Sequence, residues 1–217
     1  MVPTMARPVA ADAEVTRARI LAAATALFSK APAADVSIRE VGKAAGVTLA
    51  TVHHYFGTKE QLYAACVSAM HQELETLRAE LEPLVLAPGD RRSQLSAVVQ
   101  ASFAFARRHA AAIRFMLRTV VDTGAMDPLR LKEVHLPFLA NSAAVFEAVL
   151  GVKADDARLL VQSLMHLVVR YAITAPEELV AIAGVSKGPN AVARAERRIS
   201  EHLATLALLG LGPEATL

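Results

Sequence analysis

Residues 37–62 read Ser-Ile-Arg-Glu-Val-Gly-Lys-Ala-Ala-Gly-Val-Thr-Leu-Ala-Thr-Val-His-His-Tyr-Phe-Gly-Thr-Lys-Glu-Gln-Leu. Ser37 and Glu40 have the spacing of a capping box, in which each side chain satisfies a backbone amide left orphaned at a helix start. Ile38, Val41 and Ala45 follow at helical spacing and form one apolar face. Gly46 suits the left-handed conformation that closes a helix. Val47 can fill the angle that follows, and Thr48 is a good N-cap for a second helix over residues 49–56. Val52 and Phe56 lie four apart and can face the first helix. Thr58 and Gln61 repeat the capping box ahead of a long third helix.

Helix, glycine turn, helix is the outline of a helix-turn-helix, whose second helix enters the major groove of DNA. The outer face supports that outline. Thr51, His53, His54 and Tyr55 are short or aromatic hydrogen-bonding residues that reach base edges or phosphates without a long flexible stem. Leu49 and Ala50 lie beside them, and either can touch a thymine methyl. Lys59 falls in the first turn of the third helix, where a cation opposes the helix dipole. A phosphate held between that amide-rich terminus and Lys59 would use both.

Residues 46–62 closely resemble the signature of the tetracycline-repressor (TetR) family: the Gly-Val-Thr turn, the Tyr55-Phe56 pair and the closing Lys59-Glu60-Gln61-Leu62 occur together at the family's spacing. Residues 17–28, Arg-Ala-Arg-Ile-Leu-Ala-Ala-Ala-Thr-Ala-Leu-Phe, are similar to that family's first helix. The match covers roughly the first third of the chain. Departures are Ala50, near which the family usually has Gly or Pro, His53 in place of an aromatic, and Gly42 in place of Ala. A glycine inside a short helix costs about 1 kcal/mol relative to Ala. His53 retains a pH-dependent capacity for phosphate.

The resemblance implies a homodimeric, ligand-responsive transcriptional regulator, a repressor that binds a palindromic double-stranded operator and leaves it when a small molecule binds. Arg39 and Lys59 would anchor phosphates with help from His54 and Tyr55. Thr48, Leu49, Ala50, Thr51 and His53 would face the groove. An architectural or occlusion protein of the same fold, with no effector, is the alternative.

Composition agrees with an all-α fold. The 217 residues are 54% hydrophobic but only 5% aromatic, with Ala and Leu dominant, and no strand-like alternation interrupts the helical spacing. Net charge is +2, all of it carried by residues 1–62, a weak nucleic-acid footprint on its own. Cys66 is the only cysteine, so no intrachain disulfide forms, and its apolar neighbours mark it as a core residue. No signal-peptide core and no bilayer-length apolar run occurs, which points to a cytoplasmic protein without a membrane partner.

The expected organisation is a flexible arm over residues 1–13, a three-helix helix-turn-helix domain over 14–62 and a helical effector-binding and dimerisation domain over 63–217, about nine helices in all. Arg7 in the arm could reach a minor groove, although a solvated tail is the simpler reading. The first helix is expected over 14–30. A helix from 59 ends at Pro83 and Pro88, and others follow over 91–108, 111–122, 129–150 with a bend at Pro137, 154–173 and 191–209. Residues 176–190 read as a connection with one helical turn.

By the same resemblance the middle helices enclose a cavity, for which Met70, Phe103, Met116, Val120, Phe138, Ser142, Gln162 and His166 are the candidate lining. Methionine adapts to irregular ligands, and a few polar groups orient them. Gln162 and His166, four apart, could instead bond to neighbouring backbone. The last two long helices pair with their twofold mates in that family. Leu160, Leu164, Leu167 and Tyr171 on one, with Val192, Ile199, Leu203 and Leu206 on the other, are the candidate interface. Both helices are apolar on more than one face, so the same stripes could bury inside the monomer.

Enzyme readings are weaker. Gly184-Val185-Ser186-Lys187-Gly188 matches the nucleophile-elbow pattern, but that pattern needs a strand before it and an acid and a histidine after it. The preceding residues look helical, and no Asp follows Asp156, although Glu196 and His202 remain. The seven histidines form no metal-ligand spacing, and adjacent His53 and His54 diverge around a helix. No catalytic residues, metal or cofactor are expected.

Overall fold

Capping residues set the helix boundaries at the N-terminal end. In a computed structural model, which describes residues 9–87, 89–126, 128, 131–150 and 153–210, α1 spans Val9–Phe28, α2 Ile38–Ala45, α3 Leu49–Phe56 and α4 Lys59–Leu86. Ser37 Oγ accepts from Glu40 N at 3.2 Å while Glu40 Oε2 accepts from Ser37 N at 2.8 Å, so the capping box forms as the spacing predicts. Thr58 and Gln61 do the same for α4. Gly46 sits at φ 66° and ends α2, and Val47 N donates to Gly42 O at 2.9 Å across the turn.

Beyond α4 the chain remains helical. The helices are α5 (Arg91–Arg108), α6 (Ala110–Thr123), α7 (Leu136–Leu150), α8 (Ala154–Ala172), α9 (Pro176–Ile182) and α10 (Ala191–Gly210), and a π-helical turn, Leu131–His135, leads into α7. Among the described residues there are ten α-helices and no strand. No single helix there is long and apolar enough to cross a membrane; α8 and α9 pass that test only together, bent by 119°.

One apolar cluster runs from the helix-turn-helix into the rest of the chain. Ile20, Phe28, Val41, Val52 and Leu62 join Cys66, Met70, Val99, Phe115 and Leu203 without a break. α4 belongs to both ends. Phe28 on α1, Tyr63 on α4 and Phe115 on α6 meet with ring centroids 4.9–5.9 Å apart, distances at which edge and tilted aromatic pairs stabilise one another. Arg118 Nη1 donates to Lys30 O at 3.2 Å just past α1. Farther along, Arg107 ties three elements: its Nε donates to Glu196 at 2.8 Å, and its Nη1 donates to the carbonyls of Ala172 and Thr174.

Several boundaries differ from expectation. α1 begins at Val9, so residues 9–13 are helical, and Arg7 lies outside the described residues. Pro83 does not stop α4. It stands one turn before the end, where a missing N–H costs one bond, and the half-buried Leu84 and Val85 hold the last turn in place. The segment at 131–135 winds as a π turn, and residues 129–130 lie outside the description. The single helical turn expected near residue 177 is the seven-residue α9, with Pro176 at its start and Leu179 and Val180 buried.

Candidate nucleic-acid interface

Thr48 starts α3, its Oγ1 accepting from Thr51 N at 3.1 Å. Val52 and Phe56 are buried against the rest of the domain. Helical geometry then decides the other face. Thr48, Ala50, His53 and His54 are exposed, Leu49 is 39% exposed, and Thr51 and Tyr55 are half-buried. Thr48 and Thr51 share a hydroxyl hydrogen bond of 2.8 Å, so Thr51 is held in one orientation before any partner arrives. The His54 and Tyr55 rings meet edge to face at 5.3 Å, and Tyr55 also packs against the core. The candidate groove residues therefore share one accessible surface, supported from beneath by Val52 and Phe56.

His53 departs from a free imidazole. Its Nδ1 lies 2.6 Å from the carbonyl oxygen of Gly57, the residue that ends α3. A carbonyl only accepts, so Nδ1 carries the proton. Arg39 is exposed on α2. Lys59 is half-buried and donates to Ala34 O at 2.8 Å. An ammonium has three protons, so this bond anchors the side chain and leaves two for a phosphate.

Gly42 has a structural reason. A Cβ there would stand 3.1 Å from Val47 O, closer than ordinary contact, and the residue is buried. Its weak helix propensity is offset by the close approach of α2 to the turn. Two residues escape any local motif. Arg19 on α1 donates through Nη2 to the carbonyl of Ala45 and, at 3.4 Å, to that of Gly46. These are carbonyls at the C-terminal end of α2, where a cation also suits the helix dipole. Arg17 places its guanidinium 5.2 Å from the centre of the Phe56 ring. Both contacts join residues far apart in sequence, so no spacing rule could have found them.

Residues 20–66 match the family model described as bacterial regulatory proteins, tetR family. Residues 20–66 thus carry the N-terminal domain that this family model describes. A curated relative, the HTH-type transcriptional regulator BetI of Rhizobium meliloti, is 33% identical over 89 residues, 41% of this chain and 42% of the relative. The HTH-type transcriptional regulator AcrR of Shigella flexneri is 34% identical over 95 residues, 44% and 43% of the two chains. The chain thus matches less than half the length of these relatives. A solved TetR-like transcriptional regulator from Rhodococcus has the same fold, with a TM-score of 0.65 at 17% identity over 97% of this chain and all of the other.

The candidate cavity residues differ in their surroundings. Met70, Phe103 and Met116 are between 2% and 8% exposed and pack in the core. Val120, Phe138 and Ser142 are half-buried. Gln162 Nε2 lies 2.7 Å from His166 Nε2, and Gln162 Oε1 lies 3.0 Å from His135 Nε2. Gln162 thus bridges His135 and His166, a side-chain arrangement the spacing did not specify. A cleft of about 610 Å³ opens between α5 and α10, bordered by Phe103, Arg107, Arg108 and Glu196, and Phe103 alone of the eight candidates touches it.

The single chain buries part of the candidate dimer stripe. Leu164, Ile199 and Leu203 are 8%, 4% and 0% exposed within the single chain, so they are core residues. Leu160 and Tyr171 pack partly against the same core, and Leu206 is half-buried. Leu167 and Val192 remain exposed, joined by Leu159 at 69% and Leu209 at 71%. On helices apolar on two faces, sequence spacing does not say which face turns inward.

Ser186 lies in the loop after α9, not after a strand, and its carbonyl accepts from Arg194, so the nucleophile-elbow geometry does not form. Cys66 is 2% exposed, and burial pushes its thiol pKa up, as befits an inert core thiol. Among the described residues no group of three or more His, Cys, Asp or Glu is placed to hold a metal.

Proposed function

We propose that this chain is a cytoplasmic, homodimeric, DNA-binding transcriptional regulator, a repressor that a small molecule releases from a palindromic operator. One observation carries the reading. α2 and α3 are joined by a capped left-handed glycine turn, and the face of α3 away from the core is solvent-exposed and lined by hydrogen-bonding side chains. Arg39 and Lys59 anchor phosphates, and His54 and Tyr55 assist. Thr48, Leu49, Ala50, Thr51 and His53 face the base edges.

Two copies related by a twofold axis read half-sites about 34–36 Å apart. The exposed Leu159, Leu167 and Leu209 on α8 and α10 support a mate on that side. An effector that prefers one spacing of the two recognition helices shifts the DNA-competent population by that difference in affinity alone. The burial of Met70, Phe103 and Met116 favours the effector-free occlusion reading. Release of bound operator by any metabolite in a screen decides between the two.

Selection of bound fragments from random duplexes at low ionic strength tests the central reading. The expected product is a pseudo-palindrome with half-sites about one helical turn apart. Retention of no duplex above background would end the DNA-binding interpretation.

A further inference from the structure

We infer that His53 is a specificity residue that reads an exocyclic amino group, the N6 amine of adenine or the N4 amine of cytosine, through Nε2. This rests on the DNA-binding reading above and adds the chemistry of one contact to it. The Nδ1 proton is committed to the carbonyl of Gly57 at 2.6 Å. In the neutral ring the other nitrogen then has a lone pair and no proton, so it accepts and cannot donate.

That restriction sorts the surfaces available on a duplex. Phosphate oxygens accept only and so offer the neutral His53 ring nothing. In the major groove guanine presents N7 and O6, both acceptors, and thymine presents O4, also an acceptor. Adenine N6 and cytosine N4 are the donors there. His53 lies on the exposed face of α3, one turn from the helix end that orients it, and its neighbour Val52 is buried. Free imidazole would sample both tautomers. Here the carbonyl that follows α3 selects one of them, and with it the base the residue can accept from. The choice between phosphate clamp and base reader thus follows from the carbonyl of Gly57.

Two measurements test this. Long-range nitrogen–proton correlation spectra of the free protein at about pH 8, where imidazole is in its neutral form, should show His53 protonated at Nδ1 with a pyridine-like Nε2. A proton on Nε2 would overturn the assignment. The operator recovered by selection is then resynthesised with each adenine in turn replaced by purine and each cytosine by pyrimidin-2-one, which removes only the amino group. The wild-type protein should lose about fivefold in affinity at one base pair per half-site, the worth of one hydrogen bond. His53→Ala should bind the parent site about fivefold more weakly and show no further loss at that pair.

Equal sensitivity of the two proteins at every pair would sink the proposal, as would a loss on methylphosphonate substitution that disappears in His53→Ala. A thermal melt of His53→Ala close to wild type establishes that the exposed substitution leaves the domain folded. Failure of the wild-type protein to bind any duplex would defeat the regulatory reading itself, and is seen before the amino-group scan begins.

Discussion

Arg19 and Gly46 form a coupled pair, because the guanidinium lies where a β-carbon on Gly46 would stand. Gly46 has φ 66°, and a Cβ built on it would stand 2.9 Å from Arg19 Nη2. Gly46→Ala therefore does two things. It places a β-carbon in the left-handed region, which costs about 1–2 kcal/mol. It also pushes Arg19 off the carbonyls of Ala45 and Gly46, which forfeits about 1 kcal/mol of hydrogen bonding, the worth of a typical intramolecular bond. The single variant should lose about 2–3 kcal/mol. Arg19→Ala alone should lose about 1 kcal/mol, since only the hydrogen bonds go. In the double variant nothing remains to be displaced, so the loss should be about 2–3 kcal/mol, close to Gly46→Ala alone. The coupling is about 1 kcal/mol, measurable as a shortfall from additivity in urea denaturation of the four proteins. Strictly additive losses would refute the contact, and a neutral Gly46→Ala would refute the left-handed turn.

Three further outcomes are expected. Lys59→Ala should weaken binding about equally on all duplexes and reduce the salt slope by about one; an unchanged slope removes Lys59 from the phosphate contacts. Glu40 accepts two hydrogen bonds from Ser37, which hold its carboxyl below the usual range. Its contribution to stability is thus present above the ordinary carboxylate range and lost as pH falls through the lowered value. The melting temperature of the wild type should therefore fall more steeply on acidification than that of Glu40→Gln, and parallel profiles would remove Glu40 from the α2 cap. Leu159→Glu with Leu209→Glu should yield monomers in sedimentation velocity, because both side chains are more than two-thirds exposed in the single chain; an undisturbed dimer would move the interface elsewhere.

The helix boundaries of the helix-turn-helix were readable residue by residue because the caps and turn that set them are local. Ser37 with Glu40, Gly46, Thr48 and Thr58 with Gln61 act over three or four positions, and each forms as its spacing requires. Helix existence elsewhere was equally readable, and α5 falls on the expected boundaries. What the spacing left open was direction. Ile199 and Leu203 belong to an apolar helix that could bury either side, and burial against α5 and α8 chose the inner one. Arg19, Arg17 and Arg107 act across 26 to 89 positions, beyond any periodic pattern. Gly42 looked like a propensity defect until the Val47 carbonyl was found beside it. The tautomer of His53 depends on a carbonyl four residues onward, which spacing permits but does not demand.

The aromatic junction of Phe28, Tyr63 and Phe115, with Arg118 reaching the chain just beyond α1, has a mechanical consequence. α6 is bolted to the reading head at two points, so it travels with that head as a rigid strut. α6 meets α5 at His109, whose ring stacks on Phe105 and faces Glu73 on α4, so a displacement of α3 relative to α5 would load that join. Loss of the His109 ring would loosen that join while leaving every side chain of α3 in place.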